Sequence, residues 1–170
     1  MSEINIYYLV MHSIEQLNAK SQDNGLTIVK AKNKVFTLNR ELYTLVGEQW
    51  QWKDKLKWSD SKWQSYVSNE QLRTWLAYYN GDIAGYFELL NLADGEVEIA
   101  YFGLVPQFIG KGFGGYMLSQ AVKLAWQECQ AKSVTVNTCT LDHKNALSNY
   151  QARGFEVYRK TVDSLTLKGK

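Results

Sequence analysis

The first regular signal along the chain is the run Ile4 to Met11, where branched and aromatic residues dominate and predict a strand. A short helix is expected over Ser13 to Ala19, a polar loop over Lys20 to Gly25, and a second strand over Leu26 to Ala31. From Val35 the spacing becomes helical, with Val35, Leu38, Leu42, Leu45, Val46 and Trp50 along one side. Ser59-Asp60 marks the start of another helix, carrying Trp63, Tyr66 and Val67. Strand signals then return. Leu72 to Tyr79 and Ile83 to Leu90 flank the tight turn Asn80-Gly81-Asp82, and Ala93-Asp94-Gly95 leads into Glu96 to Val105. These three strands predict an antiparallel meander. Beyond the glycine-rich stretch Pro106 to Gly115, residues Phe113, Met117, Leu118, Ala121, Val122 and Ala125 form a helical stripe that ends near Glu128. Ser133 to Cys139 reads as a strand. Asp142 reads as the N-cap of a helix through Ala152, Gly154 as its stop, and Phe155 to Val162 as the last strand.

Strand, helix, strand from Glu96 to Cys139 requires a parallel pair joined by a right-handed crossover. The expected architecture is a single α+β domain over residues 1–170, a mixed and mostly antiparallel sheet flanked by helices. Apolar types at 45% and charged types at 21% exclude a disordered chain. Nineteen basic and seventeen acidic residues leave +2, so no cationic field calls for a nucleic-acid partner. No apolar run reaches the roughly 20 residues of a membrane span, so no membrane partner is expected. Met1-Ser2-Glu3-Ile4 lacks the opening of a signal peptide, and the expected setting is the reducing cytoplasm. Cys129, Cys139, His12 and His143 are too scattered for a disulfide framework or a metal site, and no metal is expected.

The most informative stretch runs from Leu104 to Gly115, between a strand and the start of an amphipathic helix. The first turn of a helix leaves backbone N–H groups without partners and carries partial positive charge. Glycines remove the side chains that would keep an anion away, and Lys111 adds a cation. These features describe a phosphate or pyrophosphate cradle. Gly110, Gly112 and Gly115 fit the dinucleotide spacing G-x-G-x-x-G, but the strands before them are antiparallel and the next strand ends without the required acid. A P-loop fails too, because Tyr and Met follow Gly115 where Lys and Ser or Thr are needed.

With Ile109-Gly110-Lys111-Gly112-Phe113-Gly114 placed on the motif [RQ]-x-x-G-x-[GA], the stretch resembles the GNAT superfamily of acetyl-CoA-dependent N-acetyltransferases. Ile109 stands where that family has Arg or Gln; an earlier register starting at Gln107 also matches but does not lead into the helix. A second segment supports the likeness: Ala146, Tyr150, Gly154 and Phe155 fall at the spacing of the family's late N-x-x-A-x-x-x-Y-x-x-x-G-F pattern, with His143 at the Asn position. The resemblance covers residues 72–160, the expected acetyl-CoA-binding core, and leaves residues 1–70 as the variable acceptor side.

The resemblance implies direct transfer from acetyl-CoA to a primary amine of a small molecule or peptide. It places Tyr150 beside the coenzyme sulfur as hydrogen donor, and the loop Ile109, Gly110, Lys111, Gly112, Phe113, Gly114 and Gly115 around the pyrophosphate. It also places an oxyanion donor among the main-chain N–H groups of Phe102, Gly103, Leu104 and Val105, where two strands splay and Gly103 permits a bulge. Asn137 is expected along the pantetheine arm, and Asn145 near the start of the late helix. The base is expected to be Glu98, which alternates with Ala100 and Phe102 on one strand face, with Glu88 as a second candidate. His143 reads as a helix-start residue, and Cys139 as a small apolar filler.

On the acceptor side, Trp50, Trp52, Trp58 and Trp63 crowd one segment, with Tyr66 close by. Such residues build core, or walls that receive an aryl amine or a cation. Lys53-Asp54-Lys55-Leu56-Lys57 reads as a solvated loop. A domain that binds acyl-CoA without turnover is the competing reading, and a homodimer stays open as the assembly state.

Overall fold

The computed structural model describes residues 3–50 and 52–163. Among the described residues seven strands form a single sheet: β1 (Ile4–Met11), β2 (Leu26–Lys30), β3 (Leu72–Tyr79), β4 (Asp82–Asn91), β5 (Glu96–Leu104), β6 (Ser133–Cys139) and β7 (Glu156–Asp163). Its order is β2-β3-β4-β5-β6-β1-β7. The helices are α1 (Phe36–Gly47), α2 (Asp60–Ser68), α3 (Gly114–Gln127) and α4 (Ala146–Ala152). No helix among the described residues is long and apolar enough to cross a membrane.

The β3–β4–β5 meander forms as its turns dictate. Asn80 and Gly81 both take positive φ, which lets Tyr79 pair directly with Asp82 across a two-residue hairpin. Parallel pairing of β5 with β6 covers only Glu96 to Glu98 against Ser133 to Thr135, and beyond those residues the two strands separate. The chain spans this pair through α3, whose inner stripe of Met117, Leu118, Ala121, Val122 and Ala125 is buried. Strand β1 lies between β6 and β7, and Leu9 and Met11 are fully buried there. Its neighbours in space come from the far end of the sequence, so no local pattern announces this placement.

One extra residue reorders the β5 face. Leu90 pairs with Glu98, Leu89 with Ile99 and Glu88 with Tyr101, which leaves Ala100 as a bulge. Directly opposed residues share a face, and Glu88 and Leu90 lie on the same face of β4. Glu98 therefore faces with Tyr101, and Phe102 lies on the other side, contrary to the expected alternation of Glu98, Ala100 and Phe102. The bulge expected at Gly103 sits at Ala100 instead. Gly103 answers a different need: a Cβ there would come within 2.4 Å of Val46 Cγ1 on α1.

Four further expectations are corrected. The helix foreseen over Ser13 to Ala19 is one 3₁₀ turn at Ile14–Gln16, closed by a reciprocal Ser13–Gln16 capping box. On α1, Val35 and Leu45 are exposed, while Asn39, Leu42, Tyr43 and Val46 face inward. Polar Asn39 belongs to the inner stripe because its amide donates to Glu88 and Thr74. Asp142 caps no helix: its carboxylate accepts from Thr138 Oγ1 and the Cys139 N–H and closes the turn after β6, and α4 begins four residues later. The Lys53–Lys57 segment is not wholly solvated, because the Lys55 side chain turns inward among aromatic rings.

Candidate active site

The separation of β5 from β6 opens a cavity of about 550 Å³ between the strand end, the glycine loop and α4. The β4–β5 ladder fixes which amides reach it. Val105 N–H donates to the Ala84 carbonyl, so Ala84–Val105 is a hydrogen-bonded pair, and the register makes Tyr86–Gly103 the next one. The N–H groups of Gly103 and Val105 therefore point at β4. Those of Phe102 and Leu104 point the opposite way, toward the gap, and both residues line the cavity. The expected donor set narrows to these two.

At the other end of the cavity Gly110 and Gly112 each take a φ of +84°, a region costly for any side chain with a Cβ. The carbonyls around this turn are held elsewhere: Asn24 Nδ2 donates to Gly112 and Asn149 Nδ2 to Gly114. Helix α3 starts at Gly114 with no side-chain cap, and its first helical bond runs from Met117 N–H to the Phe113 carbonyl. The N–H groups ahead of Met117 are left for a ligand, with the helix dipole behind them.

Two cations converge on this turn. Arg153, at the C-terminal end of α4, is 8% exposed, and its Nε and Nη1 are buried without a partner among the described residues. Lys20 reaches the same wall from the loop before β2, its N–H held by Ser119 Oγ. The absent side chain of Gly115 makes the room, since a Cβ there would lie 2.7 Å from Lys20 Cδ and 3.1 Å from Arg153 Nη1. A buried guanidinium without an acceptor is costly. An anionic group seated on the uncapped helix would supply acceptors for it.

Tyr150 closes the cavity on the α4 side. Its ring packs 6.1 Å from Phe102 and 6.0 Å from Phe155, and it is 3% exposed. Burial, with the Asp142 charge adding to it, pushes the phenol pKa well up, so the hydroxyl keeps its proton at neutral pH. Asp142 is fixed by Trp52 Nε1 at 3.3 Å, Thr138 Oγ1 at 2.6 Å and Cys139 N–H at 3.2 Å. His143 Nδ1 accepts from the Asn145 N–H at 3.0 Å, which places the proton of the neutral ring on Nε2 and makes that atom a donor. Trp50 packs edge-on against the same imidazole at 5.1 Å.

The profile of the Acetyltransferase (GNAT) family matches residues 34–155. The chain belongs to the GNAT family. Among similar solved structures, a GCN5-related N-acetyltransferase from Sphaerobacter thermophilus shares 18% identity at a TM-score of 0.71, over 95% of this chain and 51% of that one. An acetyltransferase from Bacillus subtilis, solved in complex with CoA, shares 23% identity at a TM-score of 0.58, over 77% of this chain and 76% of that one. The ribosomal-protein-S18-alanine N-acetyltransferase from Escherichia coli shares 15% identity at a TM-score of 0.58, over 77% of each chain. The chain spans 51% to 63% of the length of four of the similar structures. No curated protein matches.

The GNAT cavity brings together Tyr150, Phe102, Gly103, Leu104, Ile109, Gly110, Gly112, Phe113, Gly114 and Asn145. Val105, Lys111, Gly115 and Asn137 lie outside its wall, as do Glu98 and Glu88. Lys111 is exposed, and Asn137 pairs with Tyr8 on β1. Sequence reasoning missed Arg153 and Lys20. Arg153 precedes Gly154-Phe155 at a helix end, where a cation ordinarily serves the dipole, and Lys20 sits in a polar loop with no periodic signal. The tryptophans divide: Trp50 and Trp52 line the cavity, and Trp58 and Trp63 pack with Tyr66 beside α1.

Glu88 is a buried carboxylate of this GNAT domain, 1% exposed on the α1–α2 face of the sheet. Tyr66 Oη donates to its Oε1 and Asn39 Nδ2 to its Oε2. Burial raises its pKa above the usual carboxylate range, opposed by those two hydrogen bonds and by Lys55. A raised folded pKa means the folded state holds the proton more tightly than the unfolded chain. The stability Glu88 contributes is then full below the ordinary carboxylate pKa and is lost as pH rises through the folded value. Thermal melts between about pH 4 and about pH 8 are expected to show this decline, and Glu88→Gln to flatten it. A slope unchanged in the variant removes Glu88 from the account.

Proposed function

We propose that this chain transfers the acetyl group of acetyl-CoA directly to a primary amine of a small molecule or peptide, in the cytoplasm. The observation that carries this reading is the convergence on one cavity of two strand amides, an uncapped helix N-terminus and Arg153, whose Nε and Nη1 are buried without a partner among the described residues. Acetyl-CoA would contribute an activated thioester and a diphosphate handle. Arg153, Lys20 and the first turn of α3 would hold the diphosphate by charge and main-chain hydrogen bonds. The Phe102 and Leu104 N–H groups are preorganised donors for charge developing on a carbonyl oxygen. As the C–N bond forms and the C–S bond breaks, Tyr150 keeps its proton and donates a hydrogen bond to the departing sulfur, and the proton lost by the amine nitrogen ends on that sulfur. His143 Nε2 orients a polar group of the acceptor, and Trp50 and Trp52 keep water from the reacting end.

The binding-module reading draws on one observation. Asp142, a carboxylate in the cavity wall, is engaged by three donors, which suits a structural role better than proton abstraction. Release of free thiol from acetyl-CoA, followed with a panel of primary amines after binding has been established, separates the two. Amine-dependent thiol release is the expected result. Tight binding without release with any amine overturns the transfer reading.

A further inference from the structure

Lys55 occupies a site of its own on the acceptor side. Its Nζ lies 4.5 Å from the Trp58 ring centroid, 5.0 Å from Tyr66 and 4.7 Å from Tyr101, and donates to Tyr101 Oη at 2.5 Å. Rings on three sides of an ammonium, with a carboxylate behind them, are the elements of a cation-binding cage. Glu88 is that carboxylate, reached through the Tyr66 hydroxyl. Burial lowers the Lys55 pKa, the charges of Glu88, Asp54 and Glu98 oppose that, and Lys62, whose Nζ lies 4.6 Å from the Trp58 ring centroid, adds to it. The Lys55 residue is half-buried, while Lys53, Asp54, Leu56 and Lys57 around it are exposed.

The cage has more capacity than Lys55 uses. Tyr86 Oη, close enough to Glu88 for its charge to matter, is buried without a hydrogen-bond partner among the described residues. Trp63 Nε1, under Trp58 and Tyr66, is likewise buried and unpartnered. Of these two groups only the Tyr86 hydroxyl can accept a hydrogen bond from an ammonium, because the Trp63 indole N–H is a donor alone. The cage also adjoins the cavity, because Trp52 lines the cavity and packs 5.2 Å from Tyr101. Lys55 is held there by its own short segment, whose N–H donates to Tyr43 Oη.

We propose that Trp58, Tyr66 and Tyr101, above Glu88, form the cationic anchor subsite of the acceptor, and that Lys55 is its internal occupant, displaced by a primary alkylammonium group. Naming the ligand as the acceptor rests on the transfer reading; the presence of the subsite does not. Lys55 competes with an external ammonium at the high effective concentration of a tethered group, so its removal uncovers affinity without creating a contact.

The test is calorimetric titration with n-butylammonium chloride, without acetyl-CoA, so that failure here with amine-dependent thiol release intact overturns the cage alone. Lys55→Ala is expected to bind the probe about tenfold more tightly than the native chain, and Trp58→Ala added to it to abolish the gain. Equal affinity in native and Lys55→Ala protein, or a gain that survives loss of Trp58, overturns the proposal. Lys55→Met, which keeps the apolar stem, takes its place if the alanine variant fails to fold. In the native chain, the ring-shifted Lys55 ε-methylene NMR signal is expected to move toward an ordinary lysine position as the probe is added. A static signal at saturating probe contradicts displacement.

Discussion

Replacing Arg153 with methionine is expected to weaken acetyl-CoA binding about 10- to 100-fold, the range of a charge-assisted hydrogen bond lost from a buried site. The reasoning starts from an imbalance in the free protein. Nε and Nη1 of Arg153 are buried and bond to nothing among the described residues, yet the side chain borders the cavity next to Lys20 and the bare start of α3. Methionine keeps most of the apolar length and removes the desolvated charge. The variant is therefore expected to melt at the same temperature as the native chain or higher, while binding falls. Affinity and stability moving in opposite directions distinguish a ligand contact from a packing residue. Calorimetry with acetyl-CoA and a thermal melt of each protein check both halves, and native affinity in Arg153→Met removes the residue from the site. The family motif leaves this role open because Ile109 stands at its cationic or amide position.

Tyr150→Phe is expected to lower turnover about 100- to 1000-fold with KM for acetyl-CoA essentially unchanged. Phenylalanine preserves the ring packing against Phe102 and Phe155, so only the hydroxyl is lost. Burial and the Asp142 charge hold the phenol pKa well above its ordinary value. A free thiol near 8.5 is a much stronger acid than such a phenol, so in the proposed transfer Tyr150 would stabilise a departing sulfur by a donated hydrogen bond and keep its own proton. A second consequence follows from the raised pKa. The basic limb of the native pH–rate profile should contain no ionisation of Tyr150 below about pH 10. Steady-state thiol release across pH measures both effects, and turnover retained in Tyr150→Phe ends the assignment.

The meander, the crossover helix and the glycine turn were legible because each is written in local terms: alternation, a helical stripe, and residues suited to positive φ. The position of β1 between β6 and β7 was not, since nothing in Ile4 to Met11 identifies partners more than a hundred residues away. The Ala100 bulge was equally silent. A single inserted residue moves Glu98 to the face opposite Phe102, and the expectation of Glu98 as base rested on their sharing one. Around the cavity, the glycine loop and Tyr150 were legible as wall residues because one is marked by missing side chains and the other by a single spacing. Arg153 and Lys55 escaped for a different reason. Each is a cation in a context where solvation is the ordinary expectation, and only the tertiary arrangement shows one without an acceptor and the other ringed by Trp58, Tyr66 and Tyr101.

Residue-resolved amide exchange by NMR, with and without saturating acetyl-CoA, tests the central claim most directly. In the free protein Gly103 and Val105 should already be protected, because their N–H groups point at β4, and Phe102 and Leu104 should exchange faster. Addition of acetyl-CoA should slow Phe102, Leu104 and the amides of Gly114 to Tyr116 at the start of α3. Unchanged exchange at all of these, with the ligand bound, would contradict the account.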